Sequence, residues 1–361
     1  MPGSFLDMVE FALTPELDDL EAVAERLGRE RLAPDVRDHE AAGRWPEQVM
    51  EVLDQLPLGA LDLPPSLGGA ELGSLAKSIV LETLARADAG GLPAADRYVG
   101  AIGALAVCPD EAVVGEIVAA CDDGSARCAL TVAEPDVERT RLAWAPGWPD
   151  LRWVWVSDDD TLRLLQVDGT AEPTLALAFQ ASGGVSVDLA PLETVGRWEL
   201  GAEQALAVRA RARLWAAAVA VGVAQAAIED TIEYTTQRVV FGKPVAHHQG
   251  NAFDLAAAAA GVHAARLLVR DAAASVDRNG SDAGYWATQA WIETMEAAFV
   301  ATNVGIQLLG GHGFIVDHLA EKRFREARHL ALLFGGRDAA ELDVADHTLD
   351  VRDPLVTREA R

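Results

Sequence analysis

The segment RVVFGKPVAHHQG, Arg238–Gly250, closes a nearly continuous Ala-rich run that starts at Ala205. Ala loses no side-chain entropy in a helix, so the run reads as one long helix that Gly242 and Pro244 bring to a stop. By itself, Arg238 is a cation complementing the negative end of a helix dipole. A second segment, QLLGGHGF (Gln307–Phe314), ends another long periodic run. Bare backbone at Gly310, Gly311 and Gly313 would let a ligand approach closely and would expose N–H donors to phosphate or ribose oxygens. No strand precedes this loop, so the context of a Rossmann-type Gly-rich turn is missing. Either segment alone reads equally well as a plain helix end.

Working outward, apolar periodicity predicts further helices over Asn251–Asp277, Ala283–Leu309 and, shorter, His318–Leu333. With Ala205–Arg238 these make four helices in a row, the pattern of a bundle. Upstream, LRWVWVS (Leu151–Ser157), TLRLLQV (Thr161–Val167) and TLALAFQ (Thr174–Gln180) are short runs separated by turn chemistry, which predicts a small antiparallel β-domain. From Thr14 to about Cys121 the spacing is helical again, broken at DLPPSLGG (Asp62–Gly69) and AGGLP (Ala89–Pro93). Thr14 and Pro15 read as a helix N-cap and first turn. The expected division is a helical domain over 1–126, a β-domain over 127–201 and a helical bundle over 202–361, in a mainly α chain.

Composition narrows the functions. The 361 residues carry a formal charge of −26 and a pI near 4.6, against nucleic-acid binding, which needs clustered Lys and Arg. An anionic ligand would have to be gripped by a few local arginines. Cys108, Cys121 and Cys128 show no CxxC pair and read as small core residues of a reduced protein. The opening MPGSFLDMVEFALTPELDDL has no signal-peptide pattern, and Leu214–Ile228, the longest apolar run, reads as too short and Ala-rich to span a bilayer. The expectation is a cytoplasmic protein without membrane insertion. No two of His247, His248, His263, His312, His318 and His329 have metal-ligand spacing on one helix face, so no metal is expected. His312 lies inside the Gly loop, where contact with a ligand is open to it, though a loop His is more often simply solvent-exposed.

RxxFG, then a Gln in the following segment, then QxxGGxG, in this order, resembles the C-terminal domain of the acyl-CoA dehydrogenase family. The resemblance extends to EFALTPELDDL, to GRWPEQVMEVLDQLPLGALDLPPSLGGAELG (Gly43–Gly73), to CALTVAEP (Cys128–Pro135) and to EKRFREAR (Glu321–Arg328). It implies a helical domain, a β-domain and a four-helix bundle, usually assembled as a tetramer. It also implies FAD lying between subunits and an acyl-CoA thioester losing its α- and β-hydrogens. Carried over by motif, Arg238, Phe241, Gln249, Gln307, Gly310 and Gly311 would hold the pyrophosphate and adenosine end of a neighbour's FAD. A guanidinium suits phosphate oxygens and Gly backbone admits close approach.

The departures fall elsewhere. In many members the base that takes the α-proton is the Glu of a Tyr-Glu-Gly-Thr turn; counting on from Arg325–Arg328, that place is Phe334. In others the base lies on the first long helix of the C-terminal domain; counting back from RVVFG, that place is Ala212. Neither can accept a proton. Glu203, Glu229 and Asp230 are nearby carboxylates that read as solvated helix faces. The stretch AEPDVERTRLAWAPGWPD (Ala133–Asp150) lacks the family's flavin-contacting Gly-Ser and is short, and Trp155 reads as packing. The resemblance therefore implies a base-lacking subunit of a heteromeric enzyme of the bacterial steroid side-chain type. A second acyl-CoA dehydrogenase-family chain would supply base and flavin-ring pocket, FAD would be shared across the interface, and an electron-transfer flavoprotein or similar acceptor would take the electrons. Two rival readings stay open: a self-sufficient homotetramer with a displaced carboxylate, and a non-enzymatic scaffold or acyl-CoA-binding partner. Lys322, Arg323, Arg325 and Arg328 either face a partner or pair with Glu321 and Glu326 within their helix.

Overall fold

Thr14 caps the first helix as its sequence requires: its Oγ1 accepts from Leu17 N at 3.4 Å and Pro15 takes the first helical position. The structure, a computed structural model, describes residues 13–352 apart from 55, 57, 71, 133–140, 147–149, 159, 168, 170, 175–176 and 281. Residues 10–12 of the expected opening helix, and 133–140, where the flavin-contacting stretch reads as altered, lie outside the described residues.

Seven helices form the first layer: α1 (Pro15–Leu27), α2 (Val36–Ala42), α3 (Glu47–Asp54), α4 (Gly73–Asp88), α5 (Leu92–Ala95), α6 (Ile102–Val107) and α7 (Glu111–Asp122). Helix α4 is buried along most of its length, with Ile79, Val80, Leu81 and Leu84 all but inaccessible.

The middle domain is two packed sheets. β1 (Arg127–Val132), β3 (Leu151–Ser157), β4 (Thr161–Gln166) and β7 (Glu193–Glu199) form one, in the order β1-β3-β4-β7; β2 (Arg141–Pro146), β6 (Gly184–Asp188) and β5 (Glu172–Thr174) form the other. Side chains alternate across a strand. Ala129, Val154, Val156 and Leu165 therefore face the small sheet and its Val185 and Val187, while Leu130, Val132, Trp153, Trp155 and Leu164 enter the helical core. Burial on both faces explains the near-continuous apolar runs.

Two expectations for this domain need correction. It is not wholly antiparallel: β1 pairs with β3 in parallel, because the intervening β2 crosses to the other sheet and no hairpin can join them. Of TLALAFQ, only Thr174 lies in a strand among the described residues, 175–176 being outside them. Phe179 takes a left-handed φ of 53° that breaks an extended chain.

The third layer is α8 (Ala202–Gln237), α9 (Gln249–Asp277), α10 (Ala283–Leu309) and α11 (Ala320–Leu330), with a hairpin of β8 (Val239–Val240) and β9 (Lys243–Pro244) after α8. Helix α4 packs against α8 and α9, so the first domain is built into the bundle. The chain does not stop after Gly335: a fifth helix, α12 (Gly336–Arg352), folds back along α10. By length and composition α8 and α9 could each cross a bilayer, contrary to the impression given by Leu214–Ile228 alone; the apolar window of α8 is 89% buried inside the protein and that of α9 28%.

Candidate functional site

Phe334 and Ala212, which counting places at the two family base positions, meet in space. A Cβ built on Gly100 would lie 2.6 Å and 2.8 Å from Phe334 Cε1 and Cζ, and 3.2 Å from Ala212 Cβ. Both side chains thus converge on the turn before α6, where Gly100 has φ +70°. Phe334 is 6% exposed and holds a left-handed φ of 55°, a conformation that costs a non-Gly residue of order 1–3 kcal/mol. Gly335 behind it leans on the end of β1, its Cβ direction 3.1 Å from Val132 Cγ1. All three domains meet here, and the Phe334 ring and the Ala212 methyl lie side by side against Gly100.

Beyond Gly100 lies a cavity of about 20 Å³, room for roughly one water, whose lining includes Asp62, Ser74, Lys77 and Arg211. Lys77 Nζ bridges Asp62 at 2.9 Å and Asp96 at 3.1 Å; Asp96 also accepts from Trp215 Nε1 at 2.9 Å and Tyr98 N at 3.0 Å. Burial raises the Asp62 carboxyl, and the Lys77 ammonium pulls it back only in part. Ser74 Oγ is buried without a partner. Asp62 is a carboxylate that sequence reading missed, because the turn ALDLPPS carries no motif and only folding brings it to Gly100.

The other candidate carboxylates are elsewhere. Glu203 sits exposed in the first turn of α8, Glu229 binds Arg86 at 2.8 Å, and Asp230 lies 3.8 Å from Arg323. After Ala212, Arg213 turns away from Gly100. Fully buried, it donates to Thr288 Oγ1 at 3.2 Å and Asp343 Oδ2 at 2.5 Å, while Arg209 grips the same carboxylate through Nε and Nη2 at 3.0 and 2.6 Å. Asp343 thereby straps α12 to α8.

The basic segment of α11 is mostly internal. Lys322 is buried against Asp88 at 2.9 Å and against Glu326; Asp88 also takes Trp45 Nε1 at 2.9 Å and His39 Nδ1 at 3.1 Å. Burial alone would raise the Asp88 carboxyl, but Lys322, His39 and Trp45 together hold it well below the usual carboxylate range. Arg323 donates to the carbonyls of Ala85, Arg86 and Ala87, closing the C-terminal end of α4. Arg325 pairs with Glu321 and Glu40, each at 2.7 Å, and only Arg328 is exposed. On the middle-domain side of α11, Trp144 lies edge-on to His329 with ring centroids 4.5 Å apart, and Phe179 is 5.5 Å from His329. Burial pushes the His329 imidazole down to about 4.

Arg238, Phe241, Gln249, Gln307, Gly310 and Gly311 gather at the opposite end of α8. From Ala212 to Arg238 is 26 residues, about 39 Å at 1.5 Å per residue. The antiparallel run of α8, α9 and α10 puts the end of the first, the start of the second and the end of the third at one place. Phe241 and Gly242 form a two-residue turn with φ of 50° and 79°, which places Phe241 at the hairpin tip, 94% exposed. His248 Nε2 meets Val240 O at 3.0 Å and steadies the stem. Arg238, Gln249, Gln307, Gly310 and Gly311 are all exposed. Gly310 has φ 58°, but Gly311 has neither a positive φ nor any atom within 4 Å of a Cβ, so nothing inside this chain demands a glycine there. Phe253, Phe314 and Val316, also exposed, share this end. His312 is not the free loop residue expected: its Nδ1 lies 2.6 Å from Tyr234 Oη. Among the described residues no His, Cys, Asp and Glu grouping could hold a metal.

Comparison with known proteins agrees with this architecture. The family model for the acyl-CoA dehydrogenase C-terminal domain matches residues 200–349, and that for the N-terminal domain matches 14–109. The probable acyl-CoA dehydrogenase FadE25 of Mycobacterium tuberculosis is 27% identical over 363 residues, 88% of this chain and 91% of that one. Among solved structures, butyryl-CoA dehydrogenase from Megasphaera elsdenii superposes with a TM-score of 0.78 at 21% identity, covering 94% of this chain and 100% of that one. The Tcur3481-Tcur3483 steroid ACAD does so at 0.75 and 22%, covering 93% and 98%. Helical domain, two-sheet middle domain and bundle, with both terminal domains matched by their models, make this chain a member of the acyl-CoA dehydrogenase family.

Proposed function

We propose that this chain is the half-site subunit of a heteromeric, FAD-dependent acyl-CoA dehydrogenase. The observation that carries the reading is Phe334: its ring and the Ala212 methyl both lie against Gly100, where the two family base positions converge. Desaturation next to a thioester needs a group that takes the α-proton, and an aromatic ring packed against an Ala methyl has no lone pair for it. A partner chain of the same family would supply the carboxylate.

Tested on this chain's residues, FAD fits in part. At the far end of α8, exposed Arg238 can grip pyrophosphate oxygens, and the open backbone at Gly310 and Gly311 can approach them. At the Phe334 end the middle domain touches the helices through Val132 against Gly335 and Trp144 against His329, and in this reading the flavin ring is left to the partner's pocket. The two ends, about 39 Å apart along α8, cannot serve one flavin, whose ring and pyrophosphate are joined by a five-carbon chain. Bound in the complex, the flavin would accept the hydride; this chain's share is to hold the phosphates and cover the site. The exposed Phe241, Phe253 and Phe314 suit burial against the second chain. A steroid-type CoA thioester is the substrate class proposed, in keeping with the likeness to the steroid ACAD, and an electron-transfer flavoprotein or similar acceptor would complete the cycle.

Purified alone, the protein should be nearly colourless and inactive; stoichiometric yellow, active protein would overturn the reading. Co-expressed with its partner, Arg238→Ala should strip flavin from the complex, whereas a mere scaffold would leave flavin content unchanged. The self-sufficient reading has one observation in its favour, the raised Asp62 carboxyl in the cavity beside Gly100. It requires activity of the isolated chain that Asp62→Asn abolishes.

A further inference from the structure

Tyr234 joins the two motifs at the bundle end. Its carbonyl accepts the N–H of Arg238 at 2.9 Å, fixing the backbone that carries the guanidinium. Its hydroxyl reaches across to the Gly loop and meets His312 Nδ1 at 2.6 Å. His318 completes a three-ring cluster, with centroids 5.2 Å from His312 and 5.5 Å from Tyr234. The cluster is anchored from the first domain by Arg37, which donates to His318 O at 2.6 Å and pairs with Glu321 at 2.7 Å. A loop carrying three glycines would be floppy if left alone; here its His312 is held by a short hydrogen bond to Tyr234, an edge-on contact with the Tyr234 ring and a tilted contact with His318.

The two ring nitrogens of a histidine are not independent: the bond made by one decides which carries the proton. Resting on the half-site reading above, we propose that Tyr234 Oη–H donates to His312 Nδ1, places the imidazole proton on Nε2, and thereby makes His312 a donor beside Arg238 for the pyrophosphate of a dinucleotide held by the partner. A neutral N–H donor adds directional binding without adding a full charge to a loop flanked by exposed glycines. Tyr234 is a positioning residue in this scheme and His312 a binding residue. With the opposite tautomer Nε2 would present a lone pair to phosphate oxygens and would repel them.

The test uses ADP as probe with the full chain, followed by ³¹P line broadening, and ¹⁵N spectra of the histidines. Wild type should broaden the ADP resonances, Arg238→Ala should abolish the effect, and His312→Ala and Tyr234→Phe should each weaken binding about tenfold. His312→Asn, which keeps an N–H donor, should recover part of the loss. The His312 ring should show the Nε2–H tautomer in wild type and lose that preference in Tyr234→Phe. If His312→Ala and Tyr234→Phe bind ADP like wild type while Arg238→Ala does not, or if His312 carries its proton on Nδ1, this inference is wrong and the half-site reading stands. If Arg238→Ala binds like wild type, or wild type shows no ADP contact, the half-site reading fails and the inference with it.

Discussion

Adding one methyl group at Gly100 tests whether Phe334 truly fills the family's base position. Gly100→Ala places a Cβ 2.6 Å and 2.8 Å from the Phe334 ring and 3.2 Å from Ala212 Cβ, at a backbone φ of +70°. The left-handed conformation costs about 1–2 kcal/mol for a residue with a Cβ. Overpacking against a ring that is itself 6% exposed adds about 1–3 kcal/mol. The single variant should therefore lose about 2–5 kcal/mol. Phe334→Ala, which leaves a cavity and keeps the same strained φ, should lose about 3–5 kcal/mol. In the double variant the new methyl enters the space the ring has left, so the overpacking against the ring vanishes while the conformational cost and the 3.2 Å contact with Ala212 Cβ remain. The two changes should thus fall short of additivity by about 1–3 kcal/mol in urea unfolding followed by Trp fluorescence. Additivity to within about 0.5 kcal/mol would mean that the ring is not against Gly100, and the argument for a blocked site would collapse.

Asp343→Ala leaves the buried Arg213 cation without its carboxylate, and Arg213 Nε and Nη2 are already unpartnered; a loss of about 3–5 kcal/mol is expected, with faster amide exchange through α12 as the local readout. His329 titrates near 4 when folded and near 6.5 when unfolded, because burial disfavours its charged form. Its contribution is present above the unfolded value and is lost as pH falls from about 6.5 towards 4, by about 3 kcal/mol in all, where the unfolded chain binds the extra proton. His329→Leu should flatten that part of the stability–pH curve, and an unchanged slope would assign it to other groups. Phe334→Glu restores a carboxylate at the base position yet should leave the isolated chain inactive, since Val132 and Trp144 still close the ring side; dehydrogenase turnover with added FAD would contradict this.

Local chemistry made much of this protein legible before folding. Ala-rich runs bounded by Gly and Pro mark α8 to α10, because propensity and helix stops depend on a few adjacent residues. The absence of a carboxylate at Phe334 and Ala212 is likewise a matter of residue identity. Other features depend on partners distant in sequence. TLALAFQ has strand composition, but at Phe179 the backbone turns into the left-handed region, against an extended strand. The α11 cations read as facing a partner or pairing within their helix until Asp88, Glu40 and the end of α4 also arrive to pair with them. His312 reads as a loose loop residue until Tyr234, 78 positions earlier, bonds to it. Helices α8 to α10 and the charge-bearing side chains were legible in the chain alone, since both follow from covalent identity and neighbours within a turn or two. That Phe334 and Ala212 meet at Gly100 while Arg238 stands about 39 Å away appears only in the folded chain, because packing brings distant side chains together and the rigid rise of α8 keeps the two ends apart.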